Sequence, residues 1–246
     1  MKKLSVVIPV YNEEKNLPEV FKMIFSCECP LEREWIVIDD CSTDRSLSVL
    51  RELQSQYSFT LLEHKVNQGK GAAVINGIRA ASGDFIMIQD ADFEYDPKDV
   101  PSLLQPLIED KADVVYGSRF KKNAPQIHRT YHYFVNRFLT LLSNLCSGIY
   151  LTDMETCYKI FRADILKAMR PISKRFGIEI ELTAYIAKIR PRIYELPISY
   201  YPRTVLQGKK INWKDGVAAL FHLLRFNFGV PVTKAYAYSE LPTRFK

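Results

Sequence analysis

The chain predicts an α/β fold: a mostly parallel β-sheet flanked by helices, with amphipathic helices toward its C-terminus. Three observations lead there. Short apolar, β-branched runs alternate with helix-length amphipathic segments over the first 116 residues, the pattern of repeated strand–helix–strand units. The polar and acidic residues of that half gather just after the apolar runs, where ligands bind in sheets of this kind. With 246 residues and 47% hydrophobic content, the chain has ample material for one large core.

Taken in order, residues 4–10 form a near-continuous β-branched run and predict the first strand. Residues 14–25 follow with Leu17, Val20, Phe21, Ile24 and Phe25 at helical spacing. Strands are predicted again at 35–38 and 59–62, and helices at 44–53 and 71–81, the latter rich enough in small residues to pack closely. Residues 85–88, Phe-Ile-Met-Ile, lie between Gly83 and a run of acids and read as a buried central strand. A helix at 100–108 and a strand at 114–116 complete the alternation.

Two further helices are predicted at 129–146 and 217–228, aromatic and aliphatic with interspersed Arg and His. In the first, Phe134, Phe138, Leu141, Leu142 and Leu145 share a face. Asn136, Arg137, His222 and Arg225 interrupt the two, so neither reaches the ~20 apolar residues of a spanning helix. Two placements stay open: the membrane interface, or the face of the sheet, which the same periodicity serves and which is expected for much of their length.

Charge divides the chain. Residues 1–113 carry 12 Lys and Arg against 20 Asp and Glu, net −8; residues 114–246 carry 22 against 8, net +14. The second half therefore favours anions, whether a phosphorylated substrate, an anionic membrane or nucleic acid. No nucleic-acid-binding motif accompanies the charge, so nucleic acid is not expected as a partner. Five scattered cysteines and the absence of a secretory leader predict a cytoplasmic protein, and Cys27-x-Cys29 has no nearby histidine to complete a zinc site.

The first strand runs into Pro-Val-Tyr-Asn-Glu-Glu with no Gly-x-Gly-x-x-Gly, and Gly69-Lys70-Gly71 lacks the spacing of a phosphate-binding P-loop, which disfavours dinucleotide oxidoreductases and P-loop kinases. Those glycines serve either a tight turn before a helix or a place beside a donor. The acids Asp90, Asp92, Glu94 and Asp96 alternate after the fourth strand, so an extended backbone aims several to one side. Such hard oxygens suit Mg²⁺ or Mn²⁺, an ion that usually brings a diphosphate with it; a solvated acidic turn is the plainer alternative.

Five segments in order carry a resemblance: Val-Val-Ile-Pro-Val-Tyr-Asn-Glu-Glu (6–14), Val-Ile-Asp-Asp-Cys-Ser-Thr-Asp (37–44), Asn-Gln-Gly-Lys-Gly-Ala-Ala (67–73), Gln-Asp-Ala-Asp (89–92) and Gly-Ser-Arg-Phe (117–120). Together they resemble glycosyltransferase family 2, with its GT-A fold, and within it the dolichyl-phosphate mannosyltransferase-like group. Residues 153–159 and 208–211 extend the likeness. The resemblance implies one continuous domain, with residues 1–120 as the nucleotide-sugar half and 121–246 as the acceptor half. It places Pro9, Tyr11, Glu13, Asp39 and Asp40 around base and ribose. Lys70, Asp90, Arg203 and Lys210 fall near the phosphates, and Asp90, Asp92 and Glu94 on the metal. Glu94 stands where relatives often carry Gln.

Arg119 is expected beside the diphosphate, where departing charge needs cations, and Arg129 toward the acceptor. The reaction so implied is a metal-dependent, inverting transfer of a hexose from GDP-mannose or a UDP-sugar to a polyprenyl phosphate, an acceptor already ionised. A hydroxyl acceptor on a glycan or glycolipid is the alternative, and it would need a base such as Asp153 or Glu179. With a phosphate acceptor, Asp153 becomes an orienting group. Lipid contact is expected to be peripheral, on the inner face of the membrane, or supplied by a membrane partner protein. Oligomeric state is left open by the sequence.

Overall fold

The computed structural model describes residues 2–121, 130–175, 177–202 and 213–246. Its centre is a seven-stranded sheet: β1 (Lys3–Val10), β2 (Glu32–Asp39), β3 (Thr60–Glu63), β4 (Phe85–Ile88), β5 (Val114–Ser118), β6 (Lys159–Arg162) and β7 (Ile193–Pro197). The spatial order is β3-β2-β1-β4-β6-β5-β7. β1 to β4 run parallel, β6 is antiparallel to both β4 and β5, and β7 is parallel to β5. Strands from before and after residue 120 thus share one sheet.

Helices α1 (Leu17–Ser26), α2 (Ser46–Leu53), α3 (Lys70–Ala80) and α4 (Val100–Ile108) come from the first half. α1 buries Leu17, Val20, Phe21 and Ile24 as its periodicity predicts, with Phe25 half-buried, and α4 buries Leu103, Leu104 and Leu107. α1 begins at Leu17 rather than at 14, because residues 12–14 are spent on the neighbouring loop, where the Arg45 amide donates to Glu14 (2.9 Å). The small residues of α3 allow close approach. A Cβ on Gly77 would sit 2.2 Å from Val7 and 2.9 Å from Ile38, on the floor of the sheet.

The second half supplies α5 (Thr130–Ser147), α6 (Ala163–Ala168), α7 (Ile178–Ile189), α8 (Trp213–Phe228) and α9 (Val232–Ala235). α7 is buried almost all round, including Glu179 and Glu181, so it is an internal helix. The Tyr185 ring meets Phe226 of α8 edge-on at 5.9 Å, and His222 stacks on Phe226. Among the described residues no helix is long and apolar enough to cross a membrane.

Register decides what the sheet presents. Val10, Asp39 and Glu63 pair in line across β1, β2 and β3, and Ile88 of β4 pairs with Val7. The parallel strands therefore deliver residues 11–14, 39–44, 67–70 and 90–94 to one edge, the carboxyl edge where α/β sheets bind ligands.

Candidate active site

The loop after β1 is knitted to the loop after β2. Asn12, with φ +54°, accepts from the Thr43 amide (2.8 Å), and the Asn12 and Glu13 amides donate to the Ser42 and Ser46 hydroxyls (3.0 and 2.8 Å). Pro9, Tyr11 and Glu13 are half-buried along this seam. Asp39 and Asp40 are both buried. Asp39 accepts from the Ser42 amide at 3.1 Å. Asp40 accepts from the Gln68 and Gly69 amides (2.8 and 2.7 Å) and meets His64 Nδ1 at 2.7 Å. The far nitrogen of His64 lies 2.7 Å from the Asn76 amide group. Asp40 and His64 thereby fix the turn that leads into α3.

That turn has two causes for its glycines. Gly69 adopts φ +93°, and a Cβ on Gly71 would stand 2.1 Å from the Ser173 carbonyl, so backbone 173–175 lies directly against it. Between them Lys70, the first residue of α3, reaches Asp90 Oδ1 at 2.7 Å and Glu179 Oε1 at 3.6 Å. Burial works against the Lys70 charge, but Asp90 heads a group of anionic neighbours that more than offsets it, so the ammonium is held well above its ordinary pKa.

Asp90, Asp92 and Glu94 leave β4 in different directions. Asp90 meets Lys70, the buried Asp92 accepts from the Glu94 amide (2.9 Å), and the Glu94 carboxylate accepts from Tyr200 Oη (3.0 Å). The Glu94 carbonyl also accepts from the Tyr201 amide at 2.8 Å. Among the described residues no three His, Cys, Asp or Glu side chains gather in a metal-holding group. A divalent ion here fits the arrangement in which one or two carboxylates are completed by phosphate oxygens and water.

Arg119 and Asp153 form the strongest polar contact of the site. Arg119 Nε and a terminal nitrogen each lie 2.7 Å from the two Asp153 oxygens, and the Arg119 amide donates to the same carboxylate at 3.0 Å. Asp153 is fully buried, and burial alone would lower the Arg119 pKa; the Asp153 charge instead raises it well above its ordinary value. The Tyr200 ring lies 5.1 Å from the guanidinium. Glu195 of β7 accepts from the Thr152 and Asp153 amides (2.8 and 3.0 Å) and pairs with Lys121 at 3.1 Å.

Beneath this pair, buried Lys159 bonds to Glu179 and to the Thr156 carbonyl. Glu155 Oε1 is enclosed and, among the described residues, meets no hydrogen-bond donor. Burial pushes the Glu155 carboxyl up to about 7, a shift that Glu179 adds to and Lys159 and Arg119 oppose. Arg129, Arg203 and Lys210 lie outside the described residues. Glu155, Lys159, Glu195, His64 and Tyr200 were not predicted. Glu155 and Lys159 lay inside the 153–159 segment that extends the family likeness, and Glu195 is the last acid before the acid-free stretch to Asp215, but none of the three was given a role.

Beside the site, α5 packs mainly on α8 and α7, which corrects the expectation that it packs on the sheet for much of its length. Phe134, Phe138, Leu141 and Leu145 form an exposed stripe, with Phe134 63% and Leu145 72% accessible, whereas Leu142, expected on the same face, is half-buried against the core. On α8, Phe221, Leu224 and Phe228 do the same, while Ala219, Leu223 and Phe226 face inward. Arg137 ties α5 to the site by donating to the Thr152 carbonyl at 3.2 Å, one residue from Asp153.

The strand order and the acid-and-arginine edge are those of a GT-A glycosyltransferase. The family described as Glycosyl transferase family 2 matches residues 5–170, and the chain belongs to it. Among sequence relatives, Dolichol-phosphate mannosyltransferase of Pyrococcus furiosus is 38% identical over 120 residues, 49% of this chain, so the chain spans about a third (34%) of that relative's length. UDP-N-acetylglucosamine--dolichyl-phosphate N-acetylglucosaminyltransferase of Methanococcus voltae is 26% identical over 93% of this chain and 97% of its own. Among solved structures, glucosyl-3-phosphoglycerate synthase of Mycobacterium tuberculosis, in complex with Mn²⁺, uridine-diphosphate and phosphoglyceric acid, superposes with a TM-score of 0.69 at 21% identity, over 94% of this chain and 80% of that one.

Proposed function

We propose that this glycosyltransferase moves a hexose from a nucleotide-sugar, GDP-mannose or a UDP-sugar, to a polyprenyl or dolichyl phosphate at the inner face of a membrane. One observation carries the acceptor assignment: α5, tied by Arg137 to the Thr152 carbonyl next to Asp153, carries an exposed apolar stripe, and α8, which packs against α5, carries another, beside an Arg119 already fixed in place. An acceptor with a charged head and a long apolar tail fits that combination. Two of the sequence relatives are named for dolichyl-phosphate chemistry, which agrees with it.

In this scheme Pro9, Tyr11, Glu13, Asp39 and Asp40 form the base and ribose end. Lys70, Asp90, Arg203 and Lys210 serve the diphosphate, and Arg129 the acceptor. Asp90 and Asp92, with Glu94 at their side, would hold Mg²⁺ or Mn²⁺, which when bound neutralises charge on the departing diphosphate. Arg119 presents preorganised positive charge to that same group, and Asp153 acts by holding Arg119 still. An acceptor phosphate oxygen attacks the anomeric carbon as the bond to the donor phosphate breaks, and the nucleoside diphosphate leaves with inversion. The acceptor is already ionised, so no base is required, which suits an Asp153 committed to Arg119.

The test is a panel of GDP-mannose, UDP-glucose and UDP-N-acetylglucosamine, each with Mn²⁺ or Mg²⁺ and a polyprenyl phosphate in vesicles. Label in an organic-extractable, acid-labile lipid is the expected result, and its absence with every donor would overturn the assignment.

A further inference from the structure

Lys70 stands between two carboxylates of different kinds. Asp90, 2.7 Å away, belongs to the acid segment; Glu179, 3.6 Å away, belongs to buried α7 and already holds Lys159. The Lys70 backbone cannot follow its side chain. Gly69 and Gly71 on either side lie against backbone 173–175, and the Ala72 amide donates to the Lys174 carbonyl at 3.1 Å. Only the four-carbon stem is left to move, and the side chain is about one-fifth accessible.

Given the metal role proposed above for Asp90 and Asp92, we infer that Lys70 is a two-seat cation: its ammonium neutralises Asp90 before a metal arrives, then withdraws to Glu179 when the metal docks. The physical reason is charge. A divalent ion on Asp90 would lie within a few ångströms of the ammonium, and like charges at that range in a half-buried site repel strongly. A lysine with no second partner would have to be left unpaired in the interior, at considerable cost. Glu179 removes that cost, since it is the nearer anion once Asp90 is taken. Lys159 cannot make the exchange because it is fully buried and also bound to the Thr156 carbonyl. Lys70 and Glu179 are therefore positioning residues that set how readily the acid segment accepts a metal in the absence of donor.

The experiment is Mn²⁺ binding to the full chain, read by electron paramagnetic resonance of free Mn²⁺, with no nucleotide and then with UDP or GDP. Folding of each variant is checked by thermal melting. Lys70→Met removes the competing cation, and roughly tenfold tighter nucleotide-free Mn²⁺ binding is expected. Glu179→Gln removes the second seat, and weaker binding is expected. If Lys70→Met does not fold, Lys70→Gln takes its place with the same expected direction. Unchanged or weaker binding in the Lys70 variants, or tighter binding in Glu179→Gln, overturns the two-seat role. Asp92→Asn separates the two levels: if it weakens Mn²⁺ binding while the Lys70 variants do not tighten it, the metal site stands and the two-seat role falls. If Asp92→Asn and Asp90→Asn both bind Mn²⁺ like the unaltered protein, the metal assignment falls and takes the two-seat role with it.

Discussion

Arg119 and Asp153 are 34 residues apart in sequence and joined by three hydrogen bonds, two from the guanidinium at 2.7 Å and one from the Arg119 amide at 3.0 Å, across the gap between the end of β5 and the loop that opens β6. The pair is buried on the Asp153 side, so the guanidinium is held to one orientation rather than chosen from many.

Arg119→Lys keeps a positive charge but loses the fork, and transfer is expected to fall roughly a hundredfold with donor affinity little changed. Asp153→Asn leaves Arg119 half-paired and should cost about 3 kcal/mol of stability as well as activity. Steady-state kinetics with chemical denaturation distinguishes these outcomes. Full activity in either variant would remove Arg119 from the mechanism.

The stripes on α5 and α8 predict a surface phenotype without a folding phenotype. Phe138→Asp combined with Leu224→Asp should reduce binding to anionic vesicles roughly tenfold or more, since buried apolar area and basic charge both drive interfacial docking. Both positions are exposed, so the melting temperature should hold. Vesicle co-sedimentation at low and high salt checks this.

Glu155 predicts a pH dependence of stability. Burial raises its folded pKa to about 7, above the ordinary 4.5 of a glutamate, so the folded chain keeps a proton that the unfolded chain releases between those values. The contribution is fully present below 4.5 and is lost as pH rises to about 7, on the order of 2–3 kcal/mol. Denaturation at pH 5 and pH 7.5 should show that loss in the natural chain and a smaller one in Glu155→Gln.

Two glycines predict opposite signs. Gly71→Ala drives a Cβ into the Ser173 carbonyl and should destabilise by about 1–3 kcal/mol. Among the described residues nothing lies within 4 Å of a Cβ on Gly216 in α8, so Gly216→Ala should stabilise by up to about 1 kcal/mol. Thermal melts of the two variants suffice.

Much of the first half was legible because its signals are local. Phe-Ile-Met-Ile between Gly83 and Asp90 can only be a short buried strand, and β4 occupies those four residues. The strand ends were found with it, so Tyr11, Glu13, Asp39, Asp40, Lys70 and Asp90 arrive at one edge, while Arg203 and Lys210 lie outside the described residues. β6 was not visible: Lys159 and Arg162 bracket two apolar residues, and nothing local tells that it slips between β4 and β5 antiparallel to both. The stripe on α5 has the same spacing whether buried or exposed, so its placement had to come from tertiary structure. The role of Glu155 was not legible because the burial that raises its pKa is a property of its surroundings, not of its letter.

The place of β6 between β4 and β5 also sets an order of events during synthesis. β4 has hydrogen-bonding partners on only one side until residues 159–162 emerge, and β5 has none until the same segment arrives, with β7 following at 193–197. A nascent chain stalled near residue 120 would carry a bare strand edge, the kind of surface on which other chains add. Residues 1–120 are thus all present long before the sheet they belong to is closed, and their solubility in isolation depends on whatever shields β4 in the meantime.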